Sequence, residues 1–349
     1  MYIRLFFSLV ILFFGNFKVF AQKTITPYFY NLDYEEKKMY TIDFDSLFIA
    51  TPNLKSFGFV SYKKKNRIKD KLKISDFLCD LDSLEYIKIS VNNAILPKCL
   101  NSMQYIKYLD LHTDSIFNGD VFFDDMSEMD SLKILRITAP NCTKTSIFST
   151  IATLPNVRGL YLNIPKVNNI SSDVGSMDSL NSLFIITNEL LEIPKTLSNL
   201  KQLEQLGLCF NWNNGANFSI LAKLPILEKL SDESKVYYKY LHEDLRLLLK
   251  LEELFINTDF SEKETINTLS ALSNLKKLHI EVTSHTSARI AENIVLLKEI
   301  DKVFLLPQGF WTRLKANRIR RKVERLTNGE VQLRVGYINL KYLKKMKKK

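Results

Sequence analysis

Leu180-Asn181-Ser182-Leu183-Phe184-Ile185-Ile186-Thr187-Asn188-Glu189-Leu190-Leu191-Glu192-Ile193-Pro194-Lys195-Thr196-Leu197-Ser198-Asn199-Leu200-Lys201-Gln202 is the stretch that decides how this 349-residue chain folds. Leu180, Leu183 and Ile185 set an apolar-x-x-apolar-x-apolar spacing. The alternation at 183 and 185 marks a short strand with one buried face. The tighter i, i+3 spacing of Leu197, Leu200 and Leu203 marks a helical return on the opposite side. The same spacing starts again at Leu54, Leu84, Ile106, Leu132, Val157, Leu203, Leu227, Leu251, Leu275 and Ile300. Successive starts lie 30, 22, 26, 25, 23, 23, 24, 24, 24 and 25 residues apart. A sustained period of this length predicts a solenoid. Neither face of one copy is stable alone, so stacked neighbours must close one long core.

With these copies aligned, the chain resembles the leucine-rich repeat family. The copy from Leu180 carries the pattern most fully, including Asn188 and the Ile193-Pro194 step. The copy from Val157 follows it through Leu160, Leu162, Val167, Ile170, Val174 and Met177, with Pro165 where the asparagine would stand. The copy from Leu84 follows it through Asn92, Ala94, Pro97 and Leu100. Residues 84–305 fit well and 54–83 poorly. The resemblance implies an α/β solenoid of horseshoe form, with a parallel sheet on the concave face and short helical or irregular returns on the convex face. It also implies a secreted or bacterial-envelope binding protein.

Two segments depart from the pattern. Asp232 occupies a position that should be buried, and Ser231-Asp232-Glu233-Ser234 reads as a broken strand or a loop. Residues 209–219 carry Phe210 and Trp212 on what reads as a turn-rich loop.

The ends have their own chemistry. Arg4 followed by the apolar run Leu5 to Phe14, with Ala21 before Gln22, has the layout of a cleavable signal peptide over residues 1–21. Residues 22–80 read as an N-terminal cap with one degenerate repeat, and residues 81–306 as the solenoid. Residues 307–349 read as a C-terminal cap and basic tail: a helix over Thr312–Leu326, a turn at Asn328-Gly329 and an alternating strand through Val331, Leu333 and Val335. The formal charge of +11 belongs to that end, since 307–349 carry +12 and 22–306 carry −3. Such a tail could touch an anionic surface through charge alone. No nucleic-acid recognition motif accompanies it. Export makes disulfides possible. Yet Cys79, Cys99, Cys142 and Cys209 occupy different phases of the repeat, so free thiols are expected, with Cys79–Cys99 the pair to test.

No catalytic motif is present. The four histidines, His112, His242, His279 and His285, lack helix-spaced metal partners. Neither a nucleophile elbow nor a phosphate-cradling glycine loop occurs. Cys209 and His112 lie four copies apart, roughly 19 Å by strand spacing, too far for a thiol pair. Glu204, Glu228 and Glu252, even with Glu233 and Glu253, come without an oxygen-ligand loop, so no metal and no cofactor is expected.

Surface recognition fits better. The outward strand positions read Lys88, Asp110, Arg136, Tyr161, Phe184, Gly207, Ser231, Phe255, His279 and Phe304. Aromatics exposed on a concave face are what a binding hot spot needs. We therefore expect a contact centre of Arg136, Tyr161, Phe184, Ile186 and Phe255, with Phe210 nearby, for a protein or polysaccharide ligand. His279 reads as solvated or ligand-contacting. One position after each start lie a basic ladder, Lys107, Lys133 and Arg158, and the acidic ladder named above. The chain is expected to be monomeric. The competing classes are an envelope scaffold without a coherent patch and a divergent hydrolase, which would need a deep polar pocket between 209–219 and 231–240.

Overall fold

The computed structural model describes residues 28–32, 53–61, 72–90, 94–112, 126–143, 146–188, 192–234, 236–258, 260, 262–287, 290–297, 300–307, 309–328 and 332–335. The segment 1–21, Lys63 to Lys65, Asn92, Gly329 and the final lysines lie outside them. The chain forms two compact units, Met1–Leu180 and Asn181–Lys349.

In the first unit the strands are β1 (Tyr28–Leu32), β2 (Ser56–Ser61), β3 (Leu72–Lys73), β4 (Tyr86–Ser90), β5 (Ala94–Ile95), β6 (Tyr108–His112), β7 (Ile134–Thr138) and β8 (Gly159–Asn163). β1, β2, β4, β6, β7 and β8 pair in that order, every pair parallel. β3 and β5 form a small parallel pair of their own. In the second unit β9 (Ser182–Ile186), β10 (Gln205–Leu208), β11 (Lys229–Asp232), β12 (Glu253–Ile256), β13 (Lys277–Val282), β14 (Lys302–Pro307) and β15 (Gln332–Val335) follow one another, again all parallel.

The leucine spacing produces this register directly. Ile87, Leu109, Leu135 and Leu160 are paired neighbours in the first unit and are wholly buried. Leu183, Leu206, Leu230, Leu254, Leu278 and Val303 do the same in the second. A slip of one residue would turn every one of these side chains into water.

The charged ladder positions have a backbone role at strand entry. The Glu85 carbonyl accepts from the N–H groups of Lys107 and Tyr108, and the Lys107 carbonyl from those of Lys133 and Ile134. The Glu204, Glu228 and Glu252 carbonyls repeat this for the next copies. Lys107 also pairs with Glu85 at 3.0 Å, so the basic ladder begins with a neutralised pair at the sheet margin.

The described returns are of two kinds. Among the described residues, five are 3-10 turns: Asp76–Asp80, Lys98–Ser102, Ser172–Ser176, Lys195–Asn199 and Glu243–Leu247. The middle residue of each, Leu78, Leu100, Val174, Leu197 or Leu245, is buried. The others are helices α1 (Ile147–Ala152), α2 (Gly215–Leu221), α3 (Lys263–Ser270) and α4 (Ile290–Ile294). From β4 to β14 a parallel strand of the main series recurs every 22 to 26 residues, with such returns between the strands, which is a leucine-rich-repeat solenoid.

α5 (Phe310–Leu326) follows β14 and buries Ala316, Ile319 and Val323. Asn328 takes a positive φ of 49° as the chain leaves this helix, a conformation asparagine tolerates at a helix end. The chain then enters β15 alongside β14.

Three expectations need correction. Cys79 and Cys99 form a disulfide, with Cα atoms 6.0 Å apart, while Cys142 and Cys209 are buried thiols outside any disulfide. The two half-cystines lie on the successive returns Asp76–Asp80 and Lys98–Ser102, which pack on each other despite their different phases. Asp232 does not break its strand but ends it: β11 includes Ser231 and Asp232, the latter paired with Leu208 of β10, and the chain leaves the sheet only at Glu233-Ser234. Phe210 and Trp212 are not surface aromatics. Both are wholly buried, stacked with centroids 4.7 Å apart and roofed by Phe218 of α2. The Asx turn in which Asn211 Oδ1 accepts the Asn213 N–H lets the chain double back over them.

Candidate functional site

The face of each sheet turned away from the core carries the outward row. In the first unit that row runs Gly58, Lys88, Asp110, Arg136, Tyr161 in direct register. Lys88 and Asp110 pair as ions. The Arg136 guanidinium lies 4.3 Å above the Tyr161 ring, a cation–π contact. The Tyr161 ring reaches over Gly159, where an added Cβ would stand 3.2 Å from its edge. Tyr86 and Tyr108 stack beside them at 4.4 Å, and burial, with Tyr108 next to it, raises the Tyr86 hydroxyl's pKa.

In the second unit the row runs Phe184, Gly207, Ser231, Phe255, His279, Phe304 and Arg334. Here the sheet face hollows into a groove of about 450 Å3. Its floor includes Phe184, Phe255 and His279, and its sides include Glu233, Glu253, Glu281 and Lys229. The His279 ring is the middle of a three-ring stack, 3.6 Å from Phe255 and 4.3 Å from Phe304, all nearly parallel. Because parallel strands put equivalent residues side by side, three consecutive copies with a ring at this position must stack.

The stack changes His279. It is only 9% exposed, so it is neither solvated nor freely presented. Burial lowers its pKa more than the neighbouring Glu253 carboxylate raises it. The neutral ring therefore donates its Nε2 proton to Glu253 Oε1 at 2.7 Å. Burial works to raise the Glu253 carboxyl, but the hydrogen bonds from His279 and from Lys277 at 3.2 Å outweigh it and hold the acid below its ordinary range. The result is a fixed carboxylate on the groove wall.

At the other end, Phe184 lies flat over Gly207. A Cβ there would fall 2.3 Å from the ring's Cδ1 and 3.0 Å from Glu233 Oε1. Glu233 is meanwhile held by the Ser231 hydroxyl at 2.7 Å. Gly207→Ala must push the Phe184 ring off the groove floor. The expected cost is about 1–3 kcal/mol, the range for inserting a methyl into packed space. Urea denaturation followed by circular dichroism measures it, and an unchanged midpoint would contradict this placement.

Asp232 lines the groove at one edge and stands in register with the core row through Leu208. Its Oδ1 accepts the Ser234 N–H at 2.9 Å. Oδ2 and the indole nitrogen of Trp212 are both buried and neither completes a well-aligned hydrogen bond, although the indole is near enough to lower the acid's pKa. Burial pushes the Asp232 pKa up to about 7 against the lowering influence of Ser234 and Trp212. Cys209 sits close by with its thiol raised by burial and bonded to Thr187 at 3.4 Å, which describes a packed residue rather than a nucleophile.

The five residues expected to form one contact centre fall into two sets. Arg136 and Tyr161 make the cation–π pair of the first unit. Phe184 and Phe255 belong to the groove of the second, and Ile186 is exposed at the end of β9. Phe210 leaves the candidate surface altogether, being buried. The sequence reading missed Glu253, Phe304 and the closed stack around His279. The signal was present: Phe255, His279 and Phe304 occupy the outward position in three successive copies. Among the described residues no three His, Cys, Asp or Glu side chains come together as a metal-binding group.

No family model and no curated protein matches the chain in sequence. Among solved structures it is similar to a leucine-rich-repeat protein of Leptospira interrogans, at 16% identity and a TM-score of 0.39, covering 81% of this chain and 78% of that one. It is also similar to the plant peptide hormone receptor RGFR1 in complex with RGF2, at 14% identity and a TM-score of 0.40, covering 73% of this chain and 43% of that one. The fold assignment rests on the strand register and repeat spacing described above.

Proposed function

We propose that the chain is a non-catalytic binding protein that holds an extended protein segment along the outer face of the second unit's sheet. The observation that carries this reading is the Phe255–His279–Phe304 stack with Glu253 locked beside it. Rigid rings backed by packing present apolar area without further loss of side-chain freedom, and a pre-oriented carboxylate supplies a fixed polar contact. Lys229, Glu253, Lys277 and Lys302 form a row of mixed charge on one side of the stack, and Glu281 stands on the other beside Leu306, which suits a peptide of mixed charge better than a uniform glycan. Arg136 and Tyr161 form a second, smaller contact point on the first unit. The same reading puts the chain outside the cytoplasm, secreted, periplasmic or on the cell surface. The apolar N-terminal run and the Cys79–Cys99 bridge support that location.

The test is a parallel capture from envelope extract with the wild-type chain and a folded Phe255→Ala/Phe304→Ala variant. A protein partner held by the wild type should bind the variant at least about 2 kcal/mol more weakly, roughly thirtyfold. A partner held equally by both would overturn the groove as the site, and capture of glycan alone would overturn the ligand class.

A further inference from the structure

Helix α5 presents a face that the repeat core does not use. Its inner side is filled by Ala316, Ile319 and Val323. Its outer side, read at helical spacing, is Trp311, Leu314, Arg318, Arg321 and Arg325, all exposed. Trp311 is 79% exposed, more than any other large apolar side chain among the described residues. Phe310, itself exposed, meets it edge-on at 5.4 Å. One end of this face is thus an aromatic and aliphatic knob, and the rest is a row of guanidinium groups.

Other cations of the helix are already engaged. Lys315 donates to the carbonyls of Thr283, Ser284 and Thr286, Arg320 pairs with Glu324, and Lys322 pairs with Glu292. Arg325 donates to the Arg321 carbonyl at 3.1 Å within the helix, but none of Arg318, Arg321 and Arg325 pairs with a carboxylate among the described residues. A polar knob would suffice for solubility, so a tryptophan held in water beside three uncompensated arginines calls for a partner that takes both.

We propose that this face docks the protein on an anionic lipid bilayer. The arginines meet headgroup phosphates, and Trp311, Phe310 and Leu314 enter the boundary between headgroups and acyl chains. Amphipathic helices lie in that plane with basic residues and tryptophan arranged in this way. A soluble polyanion would neutralise the arginines and leave the knob in water, whereas the headgroup and acyl-chain boundary of a bilayer accommodates both ends. Residues 336–349 continue the chain with six lysines and no acidic residue, charge of the same sign for the same partner. Among the described residues no helix is long and apolar enough to cross a membrane, and at 17 residues α5 lies along the surface.

The chain carries its own reporter, because it has two tryptophans and Trp212 is wholly buried. The full chain is mixed with vesicles of three parts phosphatidylcholine to one part phosphatidylglycerol, or of phosphatidylcholine alone. Sedimentation and tryptophan emission are read together. Binding to the anionic vesicles only, with a blue shift and protection from a soluble quencher, is the expected result. Arg318→Ser/Arg321→Ser/Arg325→Ser should lose partitioning by roughly 100-fold, from about fivefold per surface cation. Trp311→Ser/Leu314→Ser should sediment more weakly and lose the shift. All five positions are exposed, and unchanged circular dichroism confirms that each variant is folded. Undiminished sedimentation of the arginine variant would assign the binding to another part of the chain and overturn the proposal. Binding to dextran sulfate as tight as to vesicles, without a shift, would overturn it in favour of a soluble polyanion.

Discussion

Asp232→Leu should stabilise the protein at pH 8 by an amount on the order of 4 kcal/mol, and by very little at pH 4. Every neighbouring copy has an aliphatic residue at this core position: Ile185, Leu208, Ile256, Ile280 and Leu305. Asp232 instead puts a carboxyl there, with Oδ2 unpartnered, and burial raises its pKa from 3.8 to about 7. An acid whose folded pKa is raised binds its proton more tightly folded than unfolded. Stability therefore falls as pH rises from about 4 to about 7, and above that range the full cost of holding the ionised group remains. About three pKa units at 1.36 kcal/mol each set the upper size of the effect, which water reaching the carboxyl would reduce. Leucine removes the charge and supplies the missing apolar volume. Trp212, beside the site, reports unfolding by fluorescence, so urea midpoints of both proteins between pH 4 and pH 8 provide the measurement. A stability difference that stays constant across that range would refute the assignment.

This residue also shows where sequence reading reaches its limit. Leu183, Leu206, Leu230 and Leu254 were legible because a buried row of parallel strands admits only apolar side chains, and period alone locates it. Asp232 suggested a broken strand because local preference opposes a buried acid. The structure keeps the strand as far as Asp232, since β10 pairs with all of Lys229–Asp232 and β12 with Lys229–Ser231, and the penalty appears as a shifted pKa instead. Phe210 and Trp212 failed differently. Their asparagine-rich surroundings read as a surface turn, but the turn only reverses the chain so that α2 can roof the rings. His279 was placed correctly as outward. Its burial arises from Phe255 and Phe304, which are remote in sequence and adjacent only through register. Ladders and rows can be read from phase; depth on the surface depends on what neighbouring copies place beside a residue.

Loss of the Cys79–Cys99 bridge should cost about 3 kcal/mol, the loop-closure value for a loop of this size. The bridge closes a separation of 20 residues, from the return before β4 to the return before β6. Those returns are short 3-10 turns, each burying one apolar residue, Leu78 or Leu100, so local packing offers little to replace a covalent tie. The bridge escaped the phase argument because phase is set by strands. Cys79 stands five residues before the start at Leu84 and Cys99 seven before the start at Ile106. A 3-10 turn advances about 2 Å per residue, so an offset of two residues in the returns is spanned by two side chains. The thiol count is the first check. Under denaturing conditions the unreduced chain should titrate two thiols, Cys142 and Cys209, and the reduced chain four. The second is stability: Cys79→Ser/Cys99→Ser should unfold at lower urea, and a reductant should bring the wild type to the same midpoint. Because Cys142 and Cys209 are already reduced, the reductant leaves the variant unchanged. Four thiols titrating before reduction, or coincident midpoints with and without reductant, would show that the first unit owes nothing to the bridge.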